Sequence, residues 1–381
     1  MTFYESYSFF VLLAVAGCAM AALKRFGKDT ALAGLGISAG FVGLMLYRDM
    51  AQLGALCGFV ALQWANMRLF LRQRRKEKRR GAFYVAAAVS LLPLVLFKLT
   101  DAFHVGIMGF LGISYITFRA VQVILEIQDG LILEMRSVDY LYFLLFFPTF
   151  TAGPIDRSRR FVEDIHRTQE MEAYLQMAAK GVYYLLLGGL YQMVIGALMM
   201  RVHTELKLPM RPILHQGAYL VKELYSYGLY LYFNFAGYSL MAVGAGYCLG
   251  IDVPMNFNRP YLSLDMKEFW DRWHMSLSTW LRDYVFTRFS MLAMKKKWFK
   301  TRLLVANAGY MVNMLIMGLW HGLTLNYICY GAYHGALLVL TDLWQKKAPW
   351  HRRWKANRLY RFLCWALTMH LVLLGFQIFE G

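Results

Sequence analysis

Long apolar runs alternate with short charged segments along the whole 381-residue chain. A transmembrane helix needs about 20 mostly apolar residues, and runs near that length recur from the first residues to the last. The pattern therefore predicts an all-α, polytopic membrane protein with about eleven helices that cross or dip into the bilayer. The simplest predicted apolar helices are residues 7–23, 31–47, 53–70, 82–99, 105–125, 173–200, 217–250 and 362–379.

Residues 139–150 are apolar but too short to cross a bilayer. They run into Pro148, Gly153 and Pro154, and two prolines with a glycine break a helix. Irregular backbone at membrane depth must be shielded by protein or line a cavity. The sequence therefore predicts a re-entrant segment here, followed by a charged surface helix over residues 157–172.

Residues 303–341 contain no Asp, Glu, Lys or Arg. As one continuous helix they would reach about 58 Å, nearly twice the thickness of the hydrocarbon core. The run must fold back or break, and residues 318–322, with a glycine at each end, are the predicted place. His321 would then lie at a bend, where freed backbone groups face a cavity.

Residues 252–300 are amphipathic and charged, so they cannot span as a simple helix. We expect helices that lie at the cytoplasmic boundary of the membrane. The tryptophans of this stretch suit such a boundary, because an indole has one polar edge. They are Trp270, Trp273, Trp280 and Trp298.

Composition narrows the class of protein. Hydrophobic residues make up 59% of the chain, which disfavours a soluble protein, and the formal net charge is +18. Nucleic-acid binding is rejected because the charges lie in short segments between apolar runs, as in positive-inside topology. The basic segments 24–28, 72–80 and 346–361 would then share the cytoplasmic side, with the N-terminus outside.

The five cysteines are scattered through apolar runs and include no C-x-x-C pair, so neither a disulfide framework nor a metal site is expected. No Lys or Arg precedes the first apolar run, so it lacks the charged start of a signal peptide. We therefore expect that run to remain as a membrane helix.

Several polar side chains interrupt the apolar runs. Arg119 lies two helical turns before Glu126, so a structural ion pair, a snorkelling arginine and a site for an anionic substrate are all open. Asn234 and Tyr238 are spaced i, i+4 and either line a polar groove or make hydrogen bonds between helices. Ionisable groups inside membrane spans are expensive, so each is a candidate for function.

Short histidine-containing motifs occupy the C-terminal half. They are Phe269-Trp-Asp-Arg-Trp-His274-Met-Ser-Leu-Ser, Trp280-Leu-Arg-Asp283-Tyr, Met317-Gly-Leu-Trp-His321-Gly and Tyr333-His334-Gly335. With these motifs the chain resembles the membrane-bound O-acyltransferase family from about residue 80 to the C-terminus. Residues 110–120, 147–157 and 265–270 make it most similar to the members that transfer D-alanine in Gram-positive bacteria.

The resemblance implies a single domain over residues 1–381, built as a ring of helices with a central funnel and tunnel. It implies that His321 is the catalytic histidine inside the membrane and that His274 is a second essential residue nearer the cytoplasm. Candidates for the substrate path are Arg119, Asn234, Tyr238, Asp283 and His334. For His334 a hydrogen bond to a neighbouring helix is the favoured interpretation.

The resemblance also implies the partners. D-alanine would arrive as a thioester on the phosphopantetheine arm of the small carrier protein DltC and end as an ester on hydroxyls of lipoteichoic acid outside. DltA would charge the carrier, and DltD would assist on the outer face. The arm would come with the carrier, so no permanently bound cofactor is expected.

Acyl transfer from a thioester to a hydroxyl needs a base and stabilisation of the developing oxyanion. A histidine buried in an apolar span stays neutral at pH 7 and suits the role of base. Two rival functions stay open: O-acetylation of an exported polysaccharide, and a transporter or flippase without a covalent step. The paired halves typical of transporters are not visible in the sequence.

The segment after the His274 motif is the predicted landing site for the acidic carrier. Its apolar anchors are Phe286, Phe289, Met291 and Leu292, and its basic rim is Arg288 with Lys295, Lys296 and Lys297. Anchors of this kind supply affinity, while rim charges chiefly raise the association rate. The alternative is a basic amphipathic helix that rests on anionic lipid.

Overall fold

A computed structural model describes residues 6–103, 109–205 and 212–381, and these residues form helices and connecting turns without a β-strand. They divide into two compact units, each discontinuous in sequence. The first comprises residues up to 188 together with 238–254, and the second comprises residues 189–237 and 255–381. The all-α prediction is confirmed, whereas the single domain over residues 1–381 stays a prediction.

Within its described residues, the first unit contains eight complete or nearly complete α-helices. They are α1 (Tyr7–Arg25), α2 (Ala31–Leu46), α3 (Met50–Lys76), α4 (Arg80–Ala102), α5 (Ile113–Asp129), α6 (Ser137–Leu145), α7 (Ser158–His166) and α8 (Met171–Gly189). The last turns of α10 (Pro212–Cys248) also belong to this unit. Part of the predicted helix over residues 105–125 lies outside the described residues.

The second unit carries the histidine motifs. Its helices are α9 (Ala197–Glu205), most of α10 (Pro212–Cys248), α11 (Met266–Arg272), α12 (Met275–Leu281), α13 (Thr287–Lys295), α14 (Arg302–His321), α15 (Leu325–Lys347), α16 (Pro349–Trp354) and α17 (Arg358–Glu380). A π-helical turn joins α8 to α9, and another joins α12 to α13.

Six helical segments among the described residues are long and apolar enough to cross a membrane. They are α1, α3, α4, the continuous segment Met171–Glu205, α14 and α17. Their outer faces carry large exposed apolar side chains such as Val85 and Leu186, which water would not solvate but lipid would. The chain is therefore a multi-pass membrane protein, and the number of about eleven helices stays a prediction.

The helix break predicted for the segment with Pro148, Gly153 and Pro154 is confirmed, whereas its re-entrant path stays a prediction. Helix α6 ends at Leu145, a 3₁₀ turn follows at Phe147–Thr149, and Phe147 and Phe150 are fully buried. Protein therefore shields this irregular backbone, as the physics of a membrane interior requires. The surface helix predicted next is α7, but it presents only one face to solvent, because Phe161 is fully buried.

The charge-free run of residues 303–341 folds into a helical hairpin, as predicted, with its break directly after His321. Glycines allow α14 and α15 to pack closely. A Cβ on Gly331 would lie 2.6 Å from the carbonyl oxygen of Met314, and one on Gly318 would lie 2.3 Å from that of Tyr327. No larger residue fits there without separating the helices.

The tryptophans of residues 252–300 are placed differently from the prediction. Trp270, Trp273 and Trp280 are at most 9% exposed and pack in the core of the second unit, and only Trp298 is largely exposed. Trp273 stacks on Phe269 and lies 4.9 Å, centroid to centroid, from Phe376 of α17. Aromatic burial of this size outweighs the preference of an indole for the interface.

Candidate active site

His321 is the last residue of α14 and lies at the bend of the hairpin, partly buried. Aromatic rings surround its imidazole. The ring centroids of Trp320, Phe379 and Tyr327 lie 4.6, 4.9 and 5.9 Å away. This cage sets the imidazole at the end of a membrane-spanning helix in a largely apolar environment.

His274 is buried, with 3% of its surface exposed, and precedes the first residue of α12. Its backbone has φ 45° and ψ 49°, a left-handed conformation that is uncommon for a residue with a side chain. The backbone N–H of Met275 donates to the carbonyl oxygen of Asn256 at 2.9 Å, which ties this turn to the preceding loop. The strained turn is thus fixed by its neighbours rather than by local preference.

The side chain of Asn256 determines the state of His274. Its Oδ1 accepts from the backbone N–H of Ser276 at 3.1 Å and from the Ser276 hydroxyl at 2.8 Å, and it lies 3.2 Å from Nδ1 of His274. Because a backbone N–H can only donate, the Asn256 atom that faces Ser276 is the amide oxygen, and Nδ1 of a neutral His274 must carry the proton. Nε2 is then unprotonated, and it has no hydrogen-bond partner among the described residues.

His274 and His321 belong to one site. The ring of His274 lies 6.3 Å from that of Trp320, which is the neighbour of His321. His274 lies outside the membrane-spanning helices, and burial, with a smaller contribution from the charge of His321, lowers its pKa to about 3. His274 is therefore neutral at pH 7, and its imidazole lies close enough to His321 for their charges to interact.

His334 is fully buried in α15. Its ring packs edge-on against Tyr330 at 4.6 Å and Trp270 at 5.2 Å, and neither ring nitrogen has a hydrogen-bond partner within the described parts of the chain. The hydrogen bond from His334 to a neighbouring helix, which the sequence favours, is therefore not seen among the described residues. Contacts with the aromatic rings of Tyr330 and Trp270 hold the imidazole instead. The ring centroid of Tyr330 also lies 6.2 Å from that of His321.

An open pocket of about 220 Å³ lies in the second unit, beside the two histidine motifs. One wall is a face of α14 that ends at Met317, one turn before His321. Lys267 and Arg282 contribute cations to a lining that is otherwise largely apolar. The other lining residues are Trp270, Asp271, Leu277, Ser278, Leu281, Phe286, Tyr310, Asn313, Met314 and Leu338.

The remaining candidates for the substrate path are dispersed. Arg119 is buried in the first unit, and its guanidinium donates to the carbonyl oxygens of Phe143 and Leu144, each at 2.9 Å. It also donates to the carbonyl oxygen of Thr149, so it satisfies backbone groups at the break after α6. These contacts favour a structural role for Arg119.

Glu126 itself accepts a hydrogen bond from the hydroxyl of Ser158. Tyr238 shares a hydrogen bond with Thr151 in the first unit. Asn234 is half-buried in α10 of the second unit, and the side chain of Asp283 is 52% exposed, 4.0 Å from Arg282.

The predicted landing segment is partly internal. The ring of Phe286 stacks on that of Tyr310 with a centroid distance of 5.1 Å, and the ring centroid of Phe289 lies 6.0 Å from that of Trp298. Both phenylalanines therefore pack within the protein and are not freely available to a carrier. Met291 and Leu292 are 62% and 45% exposed on α13. The basic rim at Lys295, Lys296 and Lys297 is exposed, and Arg288 is half-buried.

Comparison with known proteins identifies relatives. The model of the MBOAT, membrane-bound O-acyltransferase family matches residues 128–376. The chain is 40% identical over 395 residues to a teichoic acid D-alanyltransferase of Bacillus subtilis, which covers 100% of the chain and 98% of that relative. It is 40% identical over 340 residues to the teichoic acid D-alanyltransferase of Lacticaseibacillus rhamnosus, covering 86% of the chain and 84% of the relative. A probable alginate O-acetylase of Pseudomonas aeruginosa is 32% identical over 273 residues, which are 71% of the chain but 48% of that relative.

Proposed function

Because the chain belongs to the membrane-bound O-acyltransferase family, and is therefore a membrane-bound acyltransferase, we propose that it transfers D-alanine to teichoic acid. The similarity to teichoic acid D-alanyltransferases extends over nearly the whole of both chains, whereas similarity to the alginate O-acetylase covers about half of that protein. Polysaccharide O-acetylation is therefore the less favoured function.

The observation that carries the proposal is the pairing of His274 and His321 beside an open pocket. We infer that the D-alanyl donor is the phosphopantetheine thioester of the carrier DltC. Arg282 is exposed and 3.3 Å from Asp271, so its guanidinium can also reach a phosphate, and the apolar walls are suited to an extended arm. The arm arrives with the carrier, so the chain itself needs no permanently bound cofactor.

His321 is the proposed general base. Its imidazole accepts the proton of the acceptor hydroxyl while the hydroxyl oxygen attacks the thioester carbonyl carbon, and the tetrahedral intermediate then expels the thiolate. The same proton passes to the thiolate, so the ester and a free thiol result. General-base catalysis of this kind contributes about 10²–10⁴-fold to the rate.

His274 supports this step as a neutral group. Its one N–H is committed to Asn256, so its Nε2 accepts a hydrogen bond from a substrate group instead of donating to the oxyanion. The low pKa keeps His274 neutral while a proton resides on His321, and two imidazolium ions at this spacing would repel each other.

The carrier is proposed to dock on α13 from the cytoplasm, with Met291 and Leu292 as its anchors and Lys295 with Lys296 as the basic rim. DltA would load the carrier, and DltD would act with the enzyme on the outer face, where lipoteichoic acid is the acceptor. The protein would lie in the plasma membrane of a Gram-positive bacterium with its N-terminus outside, since the basic segments then share the cytoplasmic side.

The test is reconstitution of the purified protein in liposomes with D-alanyl-loaded carrier, lipoteichoic acid and, in parallel, an acetyl donor. The proposal expects D-alanyl ester on the acceptor and stoichiometric free carrier thiol, with little acetyl transfer. Movement of D-alanine across the bilayer without discharge of the thioester would support a transporter instead. Preferred transfer of acetyl groups would support the polysaccharide O-acetylase alternative.

A further inference from the structure

A polar cleft of about 280 Å³ lies in the first unit, where one candidate membrane span ends and another begins. Helix α1 ends at Arg25, and α8 begins at Met171. The cleft is lined by the end of α1 and the turn that follows it, and by the end of α7 and the residues that lead to α8. Because the two span ends meet here, the cleft lies at one face of the membrane, at the depth of the lipid headgroups.

The cleft collects positive charge. Lys24, Lys28 and Arg167 all contribute to its lining. The ammonium of Lys24 donates to two neutral oxygens, the carbonyl of Gly250 and the side-chain oxygen of Gln169, each at 3.3 Å. Neither oxygen neutralises the charge of this lysine.

Arg167 lies close enough for its charge to repel that of Lys24, although Asp164 attracts both cations. The one carboxylate in the lining, Asp29, is held by Arg136 at 2.9 Å. The cleft therefore brings like charges together, and an anion placed between them would relieve their repulsion.

The border of the cleft is suited to lipid. Phe26, directly after α1, is 73% exposed, and aromatic rings are enriched at the membrane interface. Leu175, in the first turns of α8, is 54% exposed, as expected for contact with acyl chains. A ligand with a phosphate in the cleft and hydrocarbon beside it would match both surfaces.

We propose that this cleft, lined by Lys24, Lys28 and Arg167, is a binding site for the phosphodiester headgroup of an anionic phospholipid. Basic pockets between the ends of membrane helices bind such headgroups through charge and hydrogen bonding. The proposed lipid site does not depend on the identity of the transferred acyl group. It gives anionic lipid a direct role in stabilising the first unit.

The experiment measures the unfolding temperature of the purified full chain in neutral detergent. Increasing mole fractions of phosphatidylglycerol are added, and phosphatidylcholine with the same acyl chains or inorganic phosphate is added in parallel. The test variant is Lys24→Gln/Arg167→Gln. The matched control is Lys76→Gln/Lys78→Gln, which removes the same charge from the exposed basic turn between α3 and α4.

We expect phosphatidylglycerol to raise the unfolding temperature of the wild type and of the control, and phosphatidylcholine to have a much smaller effect. Each lost cation should weaken the apparent affinity about 5-fold, so the test variant, which lacks two cations, should bind about 25-fold more weakly. An equal loss in the test variant and the control would show general attraction to basic residues and would overturn the site. An equal response to inorganic phosphate would retain the phosphate site but overturn lipid as its source.

Lys24 also supports the fold through Gly250, so the double variant risks poor folding. Lys28→Gln covers this case, because Lys28 is an exposed residue at the rim of the cleft. It should fold normally and bind phosphatidylglycerol about 5-fold more weakly. Unchanged affinity in that variant would contradict the proposal.

Discussion

Replacement of Asn256 by alanine is the sharpest test of how the site is held. The change removes an oxygen that accepts two hydrogen bonds from Ser276 and faces Nδ1 of His274. The backbone N–H of Ser276 and the Nδ1–H of His274 both lose this acceptor. Removing the acceptor of one buried hydrogen bond costs about 1–3 kcal/mol, so the expected destabilisation is about 2–6 kcal/mol.

The effect on activity should exceed what destabilisation alone explains. Without Asn256, the proton of His274 is free to move to Nε2, and the orientation of the ring is lost. Removing the partner that orients a functional histidine typically costs about 10–100-fold. We therefore expect turnover to fall by about that factor at temperatures where the variant remains folded.

Asn256→Asp provides the comparison. The carboxylate retains the three acceptor contacts but places a negative charge beside Nδ1, which raises the pKa of His274. The acid limb of the pH–rate profile should therefore move to higher pH, a shift that a purely structural role would not produce. Transfer of D-alanine by purified, folded variants would be measured from pH 3 to 9, a range that includes the low pKa of His274 in the wild type. Wild-type rates in Asn256→Ala together with an unshifted profile in Asn256→Asp would refute the reasoning.

Three further predictions address other contacts. The pKa of His274 is about 3 in the folded protein and about 6.5 in the unfolded chain, so the unfolded chain takes up a proton on this residue first as pH falls. The free energy of unfolding should therefore decrease between about pH 6.5 and pH 3, by up to about 1.4 kcal/mol per pH unit. Calorimetric or fluorescence melts should show a weaker decrease in His274→Gln. Gly331→Val should separate α14 from α15, because the new side chain would meet the carbonyl oxygen of Met314. The unfolding temperature and the activity should both decrease, and wild-type values of both would contradict close packing. Met291→Asp should weaken carrier binding in detergent more than Lys295→Gln does, and only the lysine effect should shrink as salt rises; unchanged carrier affinity in both variants would place the landing site elsewhere.

The hairpin at His321 is the part of the site that sequence predicts best. A charge-free run longer than the bilayer is thick has to fold back, and glycines mark where it does so. That argument needs only length, charge and residue type. The break after α6 is predictable for the same kind of reason, since two prolines and a glycine act locally.

Contacts between distant residues are what the sequence did not reveal. Asn256 gave no signal as a partner of His274, because the hydrogen bond depends on a left-handed turn at His274 itself. Trp273 is buried rather than interfacial because Phe376, about a hundred positions later, packs against it. The role of Arg119 could not be decided from the sequence, because its hydrogen-bond acceptors are backbone carbonyls. Every residue has such a carbonyl, so no residue type marks the partners.

The most direct test of the central claim is a single-turnover measurement of D-alanine transfer from a loaded carrier to its acceptor. The purified wild type would be compared with His321→Ala, and with His370→Ala as a control that removes an exposed histidine from α17. His321→Ala should insert and fold normally yet lose at least about 100-fold in rate. His274→Ala should lose nearly as much, His334→Ala much less, and His370→Ala almost nothing. Wild-type turnover by folded His321→Ala would contradict the assignment of His321 as the general base.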